Sequence, residues 1–134
     1  MSSVVALDRL LDARRVWRGQ VVSAPSPSNP STGHAVLDAA LPGGGWPAAA
    51  LSEVLTAATG IGELRLLWPT LARLTQANER VVLVAPPHLP YPQAWQDAGI
   101  DLRHLSIIRA QARDALWAAE QCLRSGSCGA VLCW

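Results

Sequence analysis

Residues 80–85, RVVLVA, constrain the fold more than any other stretch of the chain. After Arg80 every position is apolar, so a strand here must be covered on both faces rather than on one. The pattern recurs. LSII at 105–108 and AVLCW at 130–134 read as further strands, and AALSEVL at 49–55 reads as the first of the set. Between them lie segments with helical spacing. In residues 62–77, Leu64, Leu67, Trp68, Leu71 and Leu74 fall on one helical face, and Pro69 is expected to kink that helix. Pro92 opens a short helix that Gly99 closes. Residues 112–125 form another, with Leu116, Ala119 and Leu123 facing inward and Gly126 ending it. Strands that alternate with helices and are apolar on both faces predict an α/β domain, a mostly parallel sheet covered on its two sides in three layers.

At 134 residues the chain is long enough for one domain with a real core. That core is expected to span residues 32–134, beginning with a short helix in TGHAVLDAAL that PGGG ends. Ahead of it, GQVVSAPSPSNPST contains Pro25, Pro27 and Pro30, so residues 19–31 read as an extended Pro/Ser-rich linker. Residues 1–18 read as an amphipathic helix, with Leu7, Leu10, Leu11 and Trp17 near one face and Asp8, Arg9, Asp12 and Arg15 on the other. Such a helix cannot bury its apolar stripe alone. It is expected to dock on an adjacent protein. A doubly wound domain usually carries a helix beyond a strand such as 130–134, so the core is expected to be incomplete on its C-terminal side.

Composition removes several classes of function. The net charge is +1, which announces no polyanion partner. All eleven basic residues are arginine, which excludes a phosphate-loop, Schiff-base or general-base lysine at every position. The three cysteines, Cys122, Cys128 and Cys133, form no C-x-x-C pair and read as reduced, buried residues of a cytoplasmic protein. No metal site is expected from them. No apolar run approaches the ~20 residues of a membrane helix. Asp8, Arg9 and Asp12 interrupt the N-terminal apolar pattern, which is therefore no signal peptide.

STGHAVLDAALPGGGWPAAALSEV at 31–54 resembles the opening of the RecA ATPase core, where a Ser-Thr-Gly start, a Leu-Asp pair, a Gly-rich turn and a strand precede the phosphate loop. RVVLVAPPHLPYPQAWQDAGIDLRHLSII at 80–108 and ALWAAEQCLRSGSCGAVLCW at 115–134 are similar to the RecA segments that follow, in the same order. Within this group the chain resembles the ImuA family of bacterial SOS mutagenesis operons, through LLDARRVWRG with its Pro/Ser linker, GHAVLDAALPGGGWP and GELRLLWPTLARL. From about residue 51 onward it is also similar to the SulA family of cell-division inhibitors.

The resemblance places a phosphate loop where its chemistry is missing. A working loop, G-x-x-x-x-G-K-[ST], wraps phosphate in backbone N–H groups, neutralises it with lysine and holds Mg²⁺ with a hydroxyl. Here Thr56 or Ala57 takes the first glycine position, Gly60 lies within the turn, and Gly62 or Glu63 takes the place of lysine. A carboxylate at ~4 Å from phosphate, at an effective dielectric near 20, costs on the order of 4 kcal/mol. The family's catalytic glutamate falls on Pro87 and its metal-side aspartate on Trp134. Phosphoryl transfer needs charge neutralisation, a metal and a water-orienting base. The resemblance therefore implies a degenerate nucleotide site at Thr56, Gly60, Gly62, Glu63, Pro87 and Trp134, no cofactor and no enzyme activity.

What remains is contact with other proteins. Trp68, Trp95 and Trp117 sit on expected helices and read as core. Trp46, in a Gly/Pro turn, and Trp17, beside Arg14 and Arg18, read as partner-binding residues, since tryptophan and arginine dominate interfaces. The arginines lack the lysines and repeated aromatics of a nucleic-acid site, so DNA contact is expected to be weak or indirect. His88 and His104 have no carboxylate or cysteine at a useful spacing, and Asp38 and Asp101 read as local structural groups. The ImuA resemblance implies a role in SOS-induced translesion synthesis, with RecA and an ImuB-type polymerase-associated protein as partners and a second copy of the chain as a further one. The SulA resemblance implies the alternative, an inhibitor that binds FtsZ and blocks septation.

Overall fold

The computed structural model describes residues 29–58 and 60–134. Its centre is β1 (Arg80–Val84), paired in parallel with β2 (Leu105–Ile108) on one side and β3 (Cys128–Cys133) on the other. Four α-helices are described: α1 (Ala35–Ala40), α2 (Trp68–Gln76), α3 (Pro92–Asp97) and α4 (Ala112–Arg124). Short 3₁₀ turns occupy Glu63–Leu66 and Leu102–His104. The chain is thus a small α/β domain with an all-parallel sheet.

The strand order explains the layers. The chain leaves β1 for β2 on one side, then returns past β1 to β3. Parallel crossovers share one hand, so connections running in opposite directions put their helices on opposite faces. Val81 and Leu83 accordingly pack with Leu71 of α2, Trp95 of α3 and Ile100. Val82 and Val84 point the other way, against Ala115 and Ala119 of α4. Val81 through Val84 are all buried, as the unbroken apolar run requires. Thr75, fully buried at the end of α2, donates to the Leu71 carbonyl at 2.8 Å and accepts the Asp101 N–H at 3.1 Å, tying α2 to the start of β2.

Five expectations are corrected. The strand at 49–55 does not form: residues 51–56 have no regular structure, Leu51 is 96% exposed and Leu55 is 82% exposed. A strand exists only within a ladder. Residues 51–56 join neither open edge of the sheet, on β2 or on β3, and Ser52 and Glu53 break the apolar run that a strand covered on both faces needs. The helix expected over 62–77 is a 3₁₀ turn followed by α2, so Pro69 sits in the first turn of α2, where its missing N–H costs nothing, and kinks no helix.

On α4, Leu116 and Leu123 face outward at 70% and 67% exposure. The small side chains of Ala115 and Ala119 take the inward positions and let the helix lie close on Val82 and Val84. Trp117, opposite that stripe, is exposed rather than core, whereas Trp95 is buried and Trp68 half-buried. Finally, Cys122 and Cys128 are half-buried but Cys133 is exposed; all three are free. Among the described residues, no helix is long and apolar enough to cross a membrane.

Candidate functional site

In doubly wound sheets of strand order 2-1-3, ligands bind outside the carboxyl ends of β1 and β3. Here the two strand ends stay paired to the last residue, with the Trp134 N–H on the Val84 carbonyl at 3.3 Å. Beyond β1 run Ala85, held at φ 52, then Pro86, Pro87 and His88. Pro87 and Trp134 are thus brought to the same end of the sheet. Proline has no N–H to offer an anion, and neither side chain can hold a metal or take a proton. His88 is exposed beside them.

The turn that precedes α2 carries the other half of the expected site. Thr56, Gly60 and Gly62 are exposed, and Glu63 is half-buried at the start of its 3₁₀ turn. The Gly60 N–H donates to Glu63 Oε1 at 3.1 Å. That N–H first, then those of Glu63, Gly62 and Ile61, hold the Glu63 carboxyl below the usual glutamate range. A turn of this kind offers converging N–H groups to an anion. In this chain the anion is the loop's own side chain.

Because the folded-state pKa of Glu63 is depressed, its contribution is present above the ordinary glutamate value and fades as pH falls through the lowered one. The Gly60 amide resonance should therefore shift on acidification with a midpoint below the usual glutamate range, and Glu63→Gln should abolish that titration. A Gly60 amide that moved with an ordinary glutamate midpoint would show that the carboxylate does not sit on it.

The opening segment is organised by Asp38. Ser31 Oγ donates to Asp38 Oδ2 at 2.5 Å and the Thr32 N–H to Oδ1 at 2.8 Å. The Ser31 hydroxyl, then Thr32, hold the Asp38 carboxyl below its ordinary value. Thr32 is fully buried, and its hydroxyl takes the His34 N–H at 3.1 Å. The Trp46 N–H reaches back to the Pro30 carbonyl at 3.0 Å. Trp46 is consequently half-buried, and its indole Nε1 is enclosed without a partner among the described residues. The Gly/Pro turn around it is folded onto residues 29–30.

Asp101 is structural, as its position after Gly99 suggests. It caps the Leu102–His104 turn by accepting the Arg103 N–H at 3.0 Å, and its oxygens also take the Arg103 guanidinium, the shortest contact being 2.7 Å. Arg103 holds the Asp101 carboxyl far below the usual range. His104, expected to stand without a carboxylate, has Nδ1 3.5 Å from Asp101 Oδ2. The i, i+3 spacing was the signal, and the turn at 102–104 realises it. Among the described residues no three His, Cys, Asp or Glu side chains are grouped to hold a metal. Arg14, Trp17 and Arg18 lie outside the described residues. Set against models of known families and against curated proteins, the chain returns no match in either comparison.

Proposed function

We propose that this chain is a non-catalytic, RecA-like accessory protein of ImuA type that acts in SOS-induced translesion synthesis and mutagenesis through protein–protein assembly in the cytoplasm. The observation that carries the reading is Glu63, whose carboxylate takes the Gly60 N–H that the resemblance would assign to phosphate. The strand ends at Pro87 and Trp134 support it by offering no metal holder and no base. A triphosphate approaching this turn would meet like charge and N–H groups already engaged. The resemblance names RecA and an ImuB-type protein as partners, with residues 1–18 as the docking element and DNA contacts weak or indirect.

Calorimetry of the full chain with Mg-ATP should give no heat of binding, and a micromolar affinity would overturn the account. In pull-downs from DNA-damaged cells, the full chain should retain RecA and the ImuB-type protein, and removal of residues 1–18 should release them while the core stays folded. Unchanged capture after the deletion would retire the docking role. One observation favours a second reading. Leu51, Leu55 and Ile61 are exposed within the segment that resembles SulA, which leaves three large apolar side chains open to a protein partner. Near-stoichiometric block of FtsZ polymerisation by the purified chain would move the assignment to that inhibitor class.

A further inference from the structure

At the opposite end of the sheet from Pro87 and Trp134, where α4 ends and β3 begins, a cleft of about 340 Å³ is lined by Arg80, Ser106, Cys122, Ser127 and Cys128 among others. Only five residues separate its two cysteines, and the chain reverses between them. The reversal is tightly pinned. Ser125 Oγ donates to the Cys122 carbonyl at 2.7 Å, lies 2.8 Å from Ser127 Oγ and takes the Ser127 N–H at 3.3 Å. Cys122 therefore hangs from the last turn of α4 over the first residue of β3. Both cysteines pack against the same cluster of Val82, Val84, Ala115 and Ala119, and both are half-buried, so a small solute in the cleft can reach them.

We propose that Cys122 and Cys128 are a redox pair that closes to an intramolecular disulfide when a hydroperoxide enters this cleft. Arg80 lies opposite Cys128 in the β1–β3 register and hydrogen-bonds Ser106 of β2 at 3.0 Å, so a cation lines the wall of the cleft. Burial first, and then the neighbouring Cys128, push the Cys122 thiol up, so Cys122 keeps its proton until the second step.

The steps balance. The Cys128 sulfur attacks one peroxide oxygen; an S–O bond forms, the O–O bond breaks, and the leaving hydroxide, or the alkoxide of an alkyl hydroperoxide, takes up a proton to become water or alcohol. The Cys122 sulfur then attacks the Cys128 sulfenic sulfur. The S–S bond forms, the S–O bond breaks, and the oxygen leaves as water with the Cys122 proton. Two thiols are oxidised and one peroxide is reduced. The bond would lock the end of α4 to the start of β3, and a thiol reductant would reopen it.

The test uses the full chain carrying Cys133→Ser, so that the exposed third thiol cannot pair between molecules. Hydrogen peroxide should remove both alkylatable thiols, lower the intact mass by two hydrogens, and link the peptides containing residues 122 and 128 within one chain; dithiothreitol should reverse all three. In the variant that also carries Cys122→Ser, peroxide should leave a Cys128 sulfenic acid that dimedone captures. Both thiols surviving peroxide, a persistent sulfenic acid with Cys122 present, or a product linked only between chains would overturn the proposal. Circular dichroism of each variant before treatment confirms that the fold is intact, and a folded Cys133→Ser protein that fails to close counts against the pair.

Discussion

Trp95→Ala is expected to cost about 3–5 kcal/mol of stability, a large share of the roughly 5–15 kcal/mol that holds a domain of this size together. Trp95 is 3% exposed and belongs to the cluster with Leu71, Val81, Leu83 and Ile100. Its indole meets Trp68 edge to face, with ring centroids 6.5 Å apart and planes at 65°. The Arg65 guanidinium lies over the Trp68 ring, 5.5 Å from its centroid. Truncation would therefore leave a cavity beneath α3 and remove the support for Trp68, the residue that joins α2 to α3. Urea unfolding followed by far-ultraviolet circular dichroism is the appropriate measurement, because deleting a tryptophan alters the fluorescence reference. Trp117→Ala, at 64% exposure on α4, should fall within about 0.5 kcal/mol of the parent. Equal costs for the two substitutions would contradict the division of tryptophans between core and surface.

That division was only partly legible in the sequence, and the reason is physical. Helical periodicity identifies a stripe, but α4 carries two that compete: Leu116 and Leu123, and Ala115, Ala118 and Ala119. Hydrophobicity favours the leucines. The sheet selects the alanines, because the flat surface made by Val82 and Val84 is best approached by small side chains. Along the 3₁₀ turn and α2 there was no such competition, and Leu64, Leu67, Trp68, Leu71 and Leu74 all belong to one core cluster, as their shared face suggests. The central strand was readable for a similar reason. RVVLVA can be satisfied only by cover on both faces, whereas LSEVL in residues 51–55 is apolar enough to suggest a strand, yet Ser52 and Glu53 interrupt it and it pairs with neither edge of the sheet.

The candidate site was legible in composition but not in contact. The absence of lysine and the carboxylate at Glu63 are visible in the sequence, and so is the replacement of acidic positions by Pro87 and Trp134. That Glu63 folds onto the Gly60 N–H is not, since it depends on the backbone path of residues 60–63. The Asp38 interactions lie between these extremes. A carboxylate following a Ser-Thr-Gly start suggests a local partner, but only the fold shows that Ser31 and Thr32 share it. Cys122 and Cys128, separated by five residues, match no familiar spacing; they line one cleft because the pinned turn at Ser125–Ser127 reverses the chain.

Gly33→Ala should be the most damaging substitution in the opening segment, at about 2–5 kcal/mol from backbone strain and overpacking together. Gly33 has φ +85, and a Cβ added there would overlap the Pro69 ring in the first turn of α2. The segment has little freedom to retreat. The Gly33 N–H is held by Ser31 Oγ at 3.0 Å, Ser31 and Thr32 are bound to Asp38, and the Thr32 side chain is wholly buried. Gly44→Ala supplies the comparison, because Gly44 has φ +69 but nothing within 4 Å of an added Cβ. It should report the left-handed backbone alone, at about 1–2 kcal/mol. The excess at Gly33, measured by urea unfolding of the two variants side by side, is then the steric wall between the opening segment and α2. If Gly33→Ala cost no more than Gly44→Ala, that wall would not exist, and the segment that precedes the Glu63 turn would be attached to the core through Thr32 and Asp38 alone.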